Sequence, residues 1–256
     1  MNGPYLSAAL GVCWRYLHNL YTRPSMFIPS LVFPLFFLAA FAGGLSVVGD
    51  APNFGYYDFT AFQFCFILIQ ASTLAGVFAG FSIASDFEQG MGRRMMMATA
   101  HRSSIVLGYT LGAAARLAVT WTVVTGAALL GGMEVAGGGL DLAGIYSIAL
   151  LSNIAALLFA AGIALRFRSI QAGPLMQLPV FIILFLAPVY VPQELLTGWI
   201  EPTASVNPIT ALLNAARSLM AGEPTGVLTA FVVVLGMIAL MAVWALSGMR
   251  KAETAG

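Results

Sequence analysis

The stretch DFEQGMGRRMMMATAHR, Asp86–Arg102, decides how this chain is read, because it gathers acids and bases between two long apolar runs. Phe59–Ser85 before it carries no charge, and Ser103–Met133 after it carries only Arg116. A polar island holding Arg93, Arg94, His101 and Arg102 between two runs of membrane length belongs at a membrane surface. The positive-inside rule makes that surface the cytoplasmic one.

Composition agrees with a lipid solvent. Apolar residues make up 60% of the 256 residues and charged residues only 8%, against roughly 25% charged in a soluble domain. A net charge of +1 without a basic stripe gives nucleic acid nothing to bind. The two cysteines, Cys13 and Cys65, form neither a disulfide framework nor a metal-ligand spacing. The first apolar run opens only near Met26 without a small-residue cleavage site, so the expectation is an uncleaved first anchor.

Six segments reach the length of about 20 apolar residues that a crossing helix needs. They are Met26–Val48, Ala61–Ser85, Ile105–Leu130, Ala143–Leu165, Gly173–Val191 and Thr225–Ser247, the fifth interrupted by Pro174, Pro179 and Pro188. In this arrangement Arg15, Arg23, Arg93, Arg94, Arg102, Arg166, Arg168, Arg250 and Lys251 fall on one side. Asp50, Asp58, Glu134, Asp141, Glu194, Glu201 and Glu223 fall on the other, with Arg217 as the lone base. The Lys/Arg bias puts both termini in the cytoplasm. The fold expected is thus a single all-α membrane domain over residues 1–256, multi-pass, in the cell membrane.

Two amphipathic segments flank the spans. Tyr5–Tyr21 repeats Leu6, Leu10, Cys13, Leu17 and Leu20 at a helical period, with Arg15, His18 and Asn19 largely opposite, and reads as a helix in the inner surface. Between spans five and six, Ile209, Leu212, Leu213, Ala216, Leu219 and Met220 form a stripe too short to span. It reads as an outer amphipathic or re-entrant helix, entered at Asn207–Pro208 and ended at Gly222. The glycine-rich Gly131–Gly144 is an outer connection with no Lys-Ser/Thr pair to cradle phosphate.

Three stretches resemble the membrane subunit of type-2 ATP-binding-cassette (ABC) exporters, the group containing daunorubicin-resistance permeases and nodulation-factor or polysaccharide exporters. TRPSMFIPSLVFPLFFLAAFAG (Thr22–Gly43) is similar to the basic-Pro entry and Pro-interrupted first span. EQGMGRRMMMATAHRSSIVLG (Glu88–Gly108) is similar to the acidic-x-Gly segment and the turn before the third span. VPQELLTGWIEPTASVNPITALLNAARSLMAG (Val191–Gly222) matches the segment after the fifth span through Trp199, Asn207, Pro208, Arg217 and Gly222. Thr99 replaces the usual Pro, Arg93 stands where an acid is common, and Asn214 where Asp is frequent. The resemblance implies six-span subunits pairing as a homodimer or with a related permease, each docked on a separate ATPase chain that binds the ATP.

The chain has no G-x-x-x-x-G-K-[ST], and its one lysine is Lys251. Energy would therefore arrive through the partner, with no cofactor of the chain's own. Within the island, Asp86, Glu88, Gly90, Arg93, Arg94, Met95, Met97 and Arg102 are the candidate ATPase-coupling residues, the charges setting register and the methionines giving adaptable contact. The alternative is a solvated loop anchored to lipid headgroups, which a methionine triplet fits less well. Arg116 either lines the translocation path or snorkels to the inner headgroups. No acid is expected within the spans. Arg217 with Glu194, Glu201 and Glu223 reads as an outer gate or an ordinary loop ion pair. Gly76–Gly80 and Gly108–Gly112 read as close helix contacts or as chance in a glycine-rich chain.

The leading function is the permease of an exporter for a hydrophobic drug, a lipid or a glycan-type substrate. A membrane-embedded enzyme would need acids, histidines or metal ligands converging at membrane depth. His18 and His101 read instead as cytoplasmic. A passive channel would need charge rings or carbonyl filters, and a structural scaffold would show no ATPase-dependent activity.

Overall fold

The computed structural model describes residues 3–22, 24–49, 51, 54–99 and 101–254. Arg23 and Asp50, two of the residues used above for orientation, lie outside the described residues, as does the side chain of Lys251. The architecture is all-helical, with no strand among the described residues. In chain order the helices are α1 (Gly3–Thr22), α2 (Pro24–Leu38), α3 (Ser46–Gly49), α4 (Phe59–Glu88), α5 (Met91–Ala98) and α6 (Ser103–Leu130). There follow α7 (Gly139–Phe167), α8 (Gly173–Phe185), α9 (Ile200–Val206), α10 (Pro208–Met220) and α11 (Val227–Thr254).

Four helices are long and apolar enough to cross a membrane: α4, α6, α7 and α11. The other two expected spans are shorter. After α2 the helix widens into a π-helical turn, Ala39–Gly43, and resumes only as the single turn α3, so its apolar run is Ser30–Gly43. The fifth expected span stops at Phe185 rather than Val191, because Pro188 cannot continue a helix and its ring disfavours helical backbone before it.

Helix α4 is the axis of the bundle. Within its apolar window 89% of residues are buried, against 11% for α11, which exposes Leu228, Val232, Leu235, Leu240 and Val243. Asp58 caps the start of α4, its carboxylate accepting from the Thr60 and Ala61 amides at 2.9 and 3.0 Å. Along its length α4 packs chiefly on α7. Glycine permits that approach: a Cβ at Gly76 would overlap the Asn153 carbonyl and sit 2.8 Å from the Leu157 amide, and one at Gly80 would strike Ala160. Asn153 Nδ2 donates to Ser72 O at 2.8 Å across the same seam, and Trp121 Nε1 to Ser72 Oγ at 2.8 Å.

Gly108 and Gly112 play the same part between α6 and α1. Gly108 faces Ala9 and Val12, and Gly112 faces the Tyr16 ring. Tyr5 lies beside His101, so α1 and the first turns of α6 run in the same direction. The buried side of α1 is accordingly Ala9, Val12 and Tyr16, while Leu6 and Leu10 of the expected stripe are exposed. Helix α1 is thus a splint along α6, with Leu6 and Leu10 turned outward and Leu17 and Leu20 packed against the core.

Two ends of the bundle are defined by contacts. At one, Glu88 Oε2 accepts from the Ile170 amide at 2.9 Å. Nearby, Arg166 bonds Ser247 Oγ at 2.5 Å and lies 3.6 Å over the Trp244 ring, tying α7 to α11. At the other, Tyr57 Oη donates toward the Glu134 and Met220 carbonyls at 2.9 and 3.1 Å, and the Glu134 amide donates to Asp58 at 2.9 Å.

The α4–α7 seam yields a test. Gly76→Ala should destabilise the detergent-purified protein by about 1–3 kcal/mol, the usual cost of overpacking. Gly126→Ala on α6, where a Cβ meets nothing within 4 Å, should be neutral or stabilising by up to about 1 kcal/mol through helix propensity. Thermal unfolding of the two variants side by side measures the difference.

Candidate functional site

The island folds as a helical hairpin at the end where Glu88 meets Ile170. Helix α4 ends at Glu88, and the chain turns through Gln89 and Gly90, whose φ of 77° is the left-handed conformation that glycine adopts without strain. Helix α5 then runs from Met91 to Ala98. Gly92 is buried against Phe87, with no room for a side chain between them, so α5 leans directly on the last turn of α4. Thr99 is extended, and its hydroxyl donates to Met95 O at 2.9 Å.

The candidate coupling residues divide into two sets. Arg93, Arg94 and Met97 are exposed, Met97 at 74%. Met95 is half-buried and packs with Met96 on the core, and Arg102 is half-buried beside Ile105, Val106 and Tyr109. Glu88 is engaged within the chain by the Ile170 amide and, at 3.5 Å, by Ser169 Oγ, which joins the two loops at this end.

Asp86 is the main correction. It belongs to the body of α4, because the helix runs one turn past the expected span, and it is buried. Arg15 grips it with a fork, Nη1 to Oδ2 and Nη2 to Oδ1, both at 2.6 Å, and the Tyr109 hydroxyl donates to Oδ2. The hydrogen bonds from Arg15 to Asp86 raise the guanidinium pKa above its ordinary value, so the cation is fixed there. An acid does therefore sit within a membrane-length helix, just past the expected span Ala61–Ser85. It is spent on this chain's own arginine and tyrosine rather than offered to a soluble domain.

Arg116 is buried at the middle of α6, between α1 and α4. Its Nη1 donates to the Tyr16 hydroxyl at 3.2 Å, and its guanidinium lies 5.6 Å from the Phe78 ring centre. In the single chain it faces the N-terminal helix.

The outer segment is better defined than its sequence stripe suggested. Trp199 is exposed just before α9, and Pro208 is the first residue of α10. Ile209, Leu212, Leu213, Ala216, Leu219 and Met220 are all buried, so α10 enters the bundle instead of lying on it. Asn207 caps α10 through the Ile209 amide at 3.0 Å, and its Nδ2 donates to Ile183 O at 2.6 Å. That carbonyl is released when the Ala187 amide turns back to Leu184.

Arg217 makes no close ion pair with Glu194, Glu201 or Glu223. It is buried on α10, donating to Pro188 O at 2.7 Å, Val189 O at 3.2 Å and Phe62 O at 3.4 Å, with the Phe62 ring 3.3 Å from its guanidinium carbon. Burial lowers its pKa from the ordinary arginine value. Carbonyl dipoles and a ring face make the close contacts to the cation, with the charge of Glu194 acting on it from farther off.

Sequence reasoning missed Arg15, Tyr109 and Tyr16 as site residues. One signal was available for Asp86: with Ala79 and Ile83 it continues one buried face of α4 at helical spacing. The partners themselves, separated from it by 71 residues for Arg15, carry no local mark.

The ABC-2 type transporter family matches residues 9–221, a region running from α1 to the end of α10. The daunorubicin resistance ABC transporter permease protein DrrB1 of Streptomyces coeruleorubidus is 24% identical over 218 residues, covering 85% of this chain and 76% of that protein. The matched region takes in the α4–α5–α6 hairpin, the part-buried Arg15–Asp86 pair and the Asn207–Arg217 element together, and on that breadth of agreement the chain belongs to the ABC-2 type transporter family.

Proposed function

We propose that this chain is the permease subunit of an ATP-driven exporter, coupled to a separate ABC ATPase through α5. The observation that carries the reading is the outward face of that short helix. Arg93, Arg94 and Met97 project from a hairpin between two membrane-length helices, in a chain with no phosphate-binding loop. A mixed basic and apolar face suits docking into a protein cleft, where charge sets register and methionine adapts to the surface. The ATPase would bind the ATP. A second copy of this chain or a related permease would complete the path across the cell membrane.

The substrate class that fits best is a hydrophobic drug, lipid or glycan-type molecule. The relative named for daunorubicin resistance supports the first of these. Six spans with both termini cytoplasmic remain the arrangement that joins the parts. In it, α2 with its π-helical turn and α3 form the first crossing. Helix α8 with the segment held by Asn207 and Arg217 forms the fifth. The clustering of Glu88, Ile170, Arg166 and Ser247 at one end supports the cytoplasmic assignment of that end.

Two experiments test this reading. Met97→Ser removes an exposed apolar contact without touching the core. A methionine side chain buried on docking contributes about 1.5–3 kcal/mol, so ATPase capture in a pull-down should weaken about tenfold or more. Arg93→Glu with Arg94→Glu should weaken it further or uncouple hydrolysis from export. Undiminished capture and coupling in both variants would make α5 a solvated loop. For topology, single cysteines at Gly138 or Gly198 should react with an impermeant thiol reagent added outside intact cells, and cysteines at Gln89 or Ser169 should not; the reverse pattern inverts the arrangement.

A further inference from the structure

We infer that Arg15, Asp86 and Tyr109 form the joint that carries movement of α5 into the N-terminal helix and the third expected span, with Asp86 as its positioning residue. The inference rests on the reading of α5 as the ATPase contact and extends it to α1, a helix that no feature of the sequence tied to coupling.

The path is continuous and short. Gly92 of α5 bears on the Phe87 ring, and Phe87 adjoins Asp86. The Asp86 carboxylate is held at once by Arg15 of α1 and Tyr109 of α6, so three helices meet on one side chain. One residue along α1, the Tyr16 ring stands edge-on to Tyr109 at 6.0 Å and 80°, and its hydroxyl accepts from Arg116. Ala9 and Val12 against Gly108, and Tyr16 against Gly112, fasten the rest of α1 along α6. A push delivered to α5 therefore has a route into α1 and α6 through close contacts, and α1, α5 and the adjoining ends of α4 and α6 would move as one cytoplasmic body.

Stability alone is a poor reason for the pair. Apolar residues of similar volume commonly replace a buried ion pair with no loss of stability, and sometimes with a gain. What a forked arginine–carboxylate contact supplies is geometry: two parallel bonds fix both the separation and the orientation of the two helices. Such a contact in an otherwise apolar seam is suited to keeping elements in register while they are displaced.

This distinction makes the test. In the permease assembled with its ATPase in lipid vesicles, the triple variant Arg15→Met, Asp86→Leu, Tyr109→Phe replaces the joint by apolar packing. Its thermal stability and ATPase capture should match the parent chain, while transport per ATP hydrolysed should fall about tenfold, the effect of losing one charge-assisted contact. Wild-type transport per ATP in this variant would reduce the cluster to packing and overturn the inference. Should the triple variant not accumulate, Tyr109→Phe alone keeps the ring and removes one bond, and a fall of a few-fold is expected.

Spin labels give a second reading, independent of transport. With cysteines at Leu10 on α1 and Ala98 on α5, both exposed, the inter-label distance should be the same with and without trapped nucleotide. The distance from Ala98 to Leu228 at the far start of α11 should change. Independent movement of Leu10 and Ala98 sinks the joint alone. No change at Ala98 in any state, with normal ATPase capture by Met97→Ser, sinks the reading of α5 and the joint with it.

Discussion

Hydrocarbon offers no hydrogen bonds, so any backbone group released from a helix at membrane depth must find a partner inside the protein. The break after α8 shows how far that constraint reaches. Once Pro188 ends regular structure, the Ile183, Pro188 and Val189 carbonyls are captured by Asn207 and Arg217. To be captured they require α10 to turn inward, and an inward α10 brings Met220 O within reach of Tyr57 and of the Gly137 amide. Gly137 has no space for a side chain against Leu219, and Gly222 takes a φ of 74° to leave the helix. That whole end of the bundle is thus arranged around a few carbonyls released from helix.

The end that carries α5 obeys the same rule with charges in place of carbonyls. Asp86 is tolerable in an apolar seam because Arg15 and Tyr109 occupy its oxygens from two different helices. Glu88, two residues on, is exposed and takes up the Ile170 amide instead. The difference between the two acids is helical phase. Asp86 continues the buried face of α4, and Glu88 points away from it. Beyond Gly90 the chain is released from that phase, and the bases of α5 turn to the outside.

The sequence made some of this legible and not the rest. The stripe of α10, its entry at Asn207–Pro208 and its end near Gly222 follow from local chemistry, since caps and prolines act within a turn of themselves. The glycine pairs Gly76–Gly80 and Gly108–Gly112 marked real close approaches, although spacing could not say that one faces α7 and the other α1. Span lengths were less legible. A hydropathy run continues smoothly through Ala39–Gly43, where the backbone widens, and through Leu186–Val191, where it leaves the helix. The roles of Asp86 and Arg217 were hidden for a different reason. Each looked like a surface charge among other charges, and only contacts far off in sequence turn them inward.

Helix α11 illustrates the opposite condition. One side of it packs along α7, through Ala230, Val234, Ala245 and Met249 and through Trp244 over Arg166 with its indole donating to Phe159 O, and the other side meets no other part of the chain. Along the remaining positions the only demand is that the side chain dissolve in lipid, and leucine, valine, isoleucine and methionine meet it equally. Exchange of one apolar residue for another along that face should therefore cost the fold little, whereas the same exchange within the buried window of α4 changes core packing.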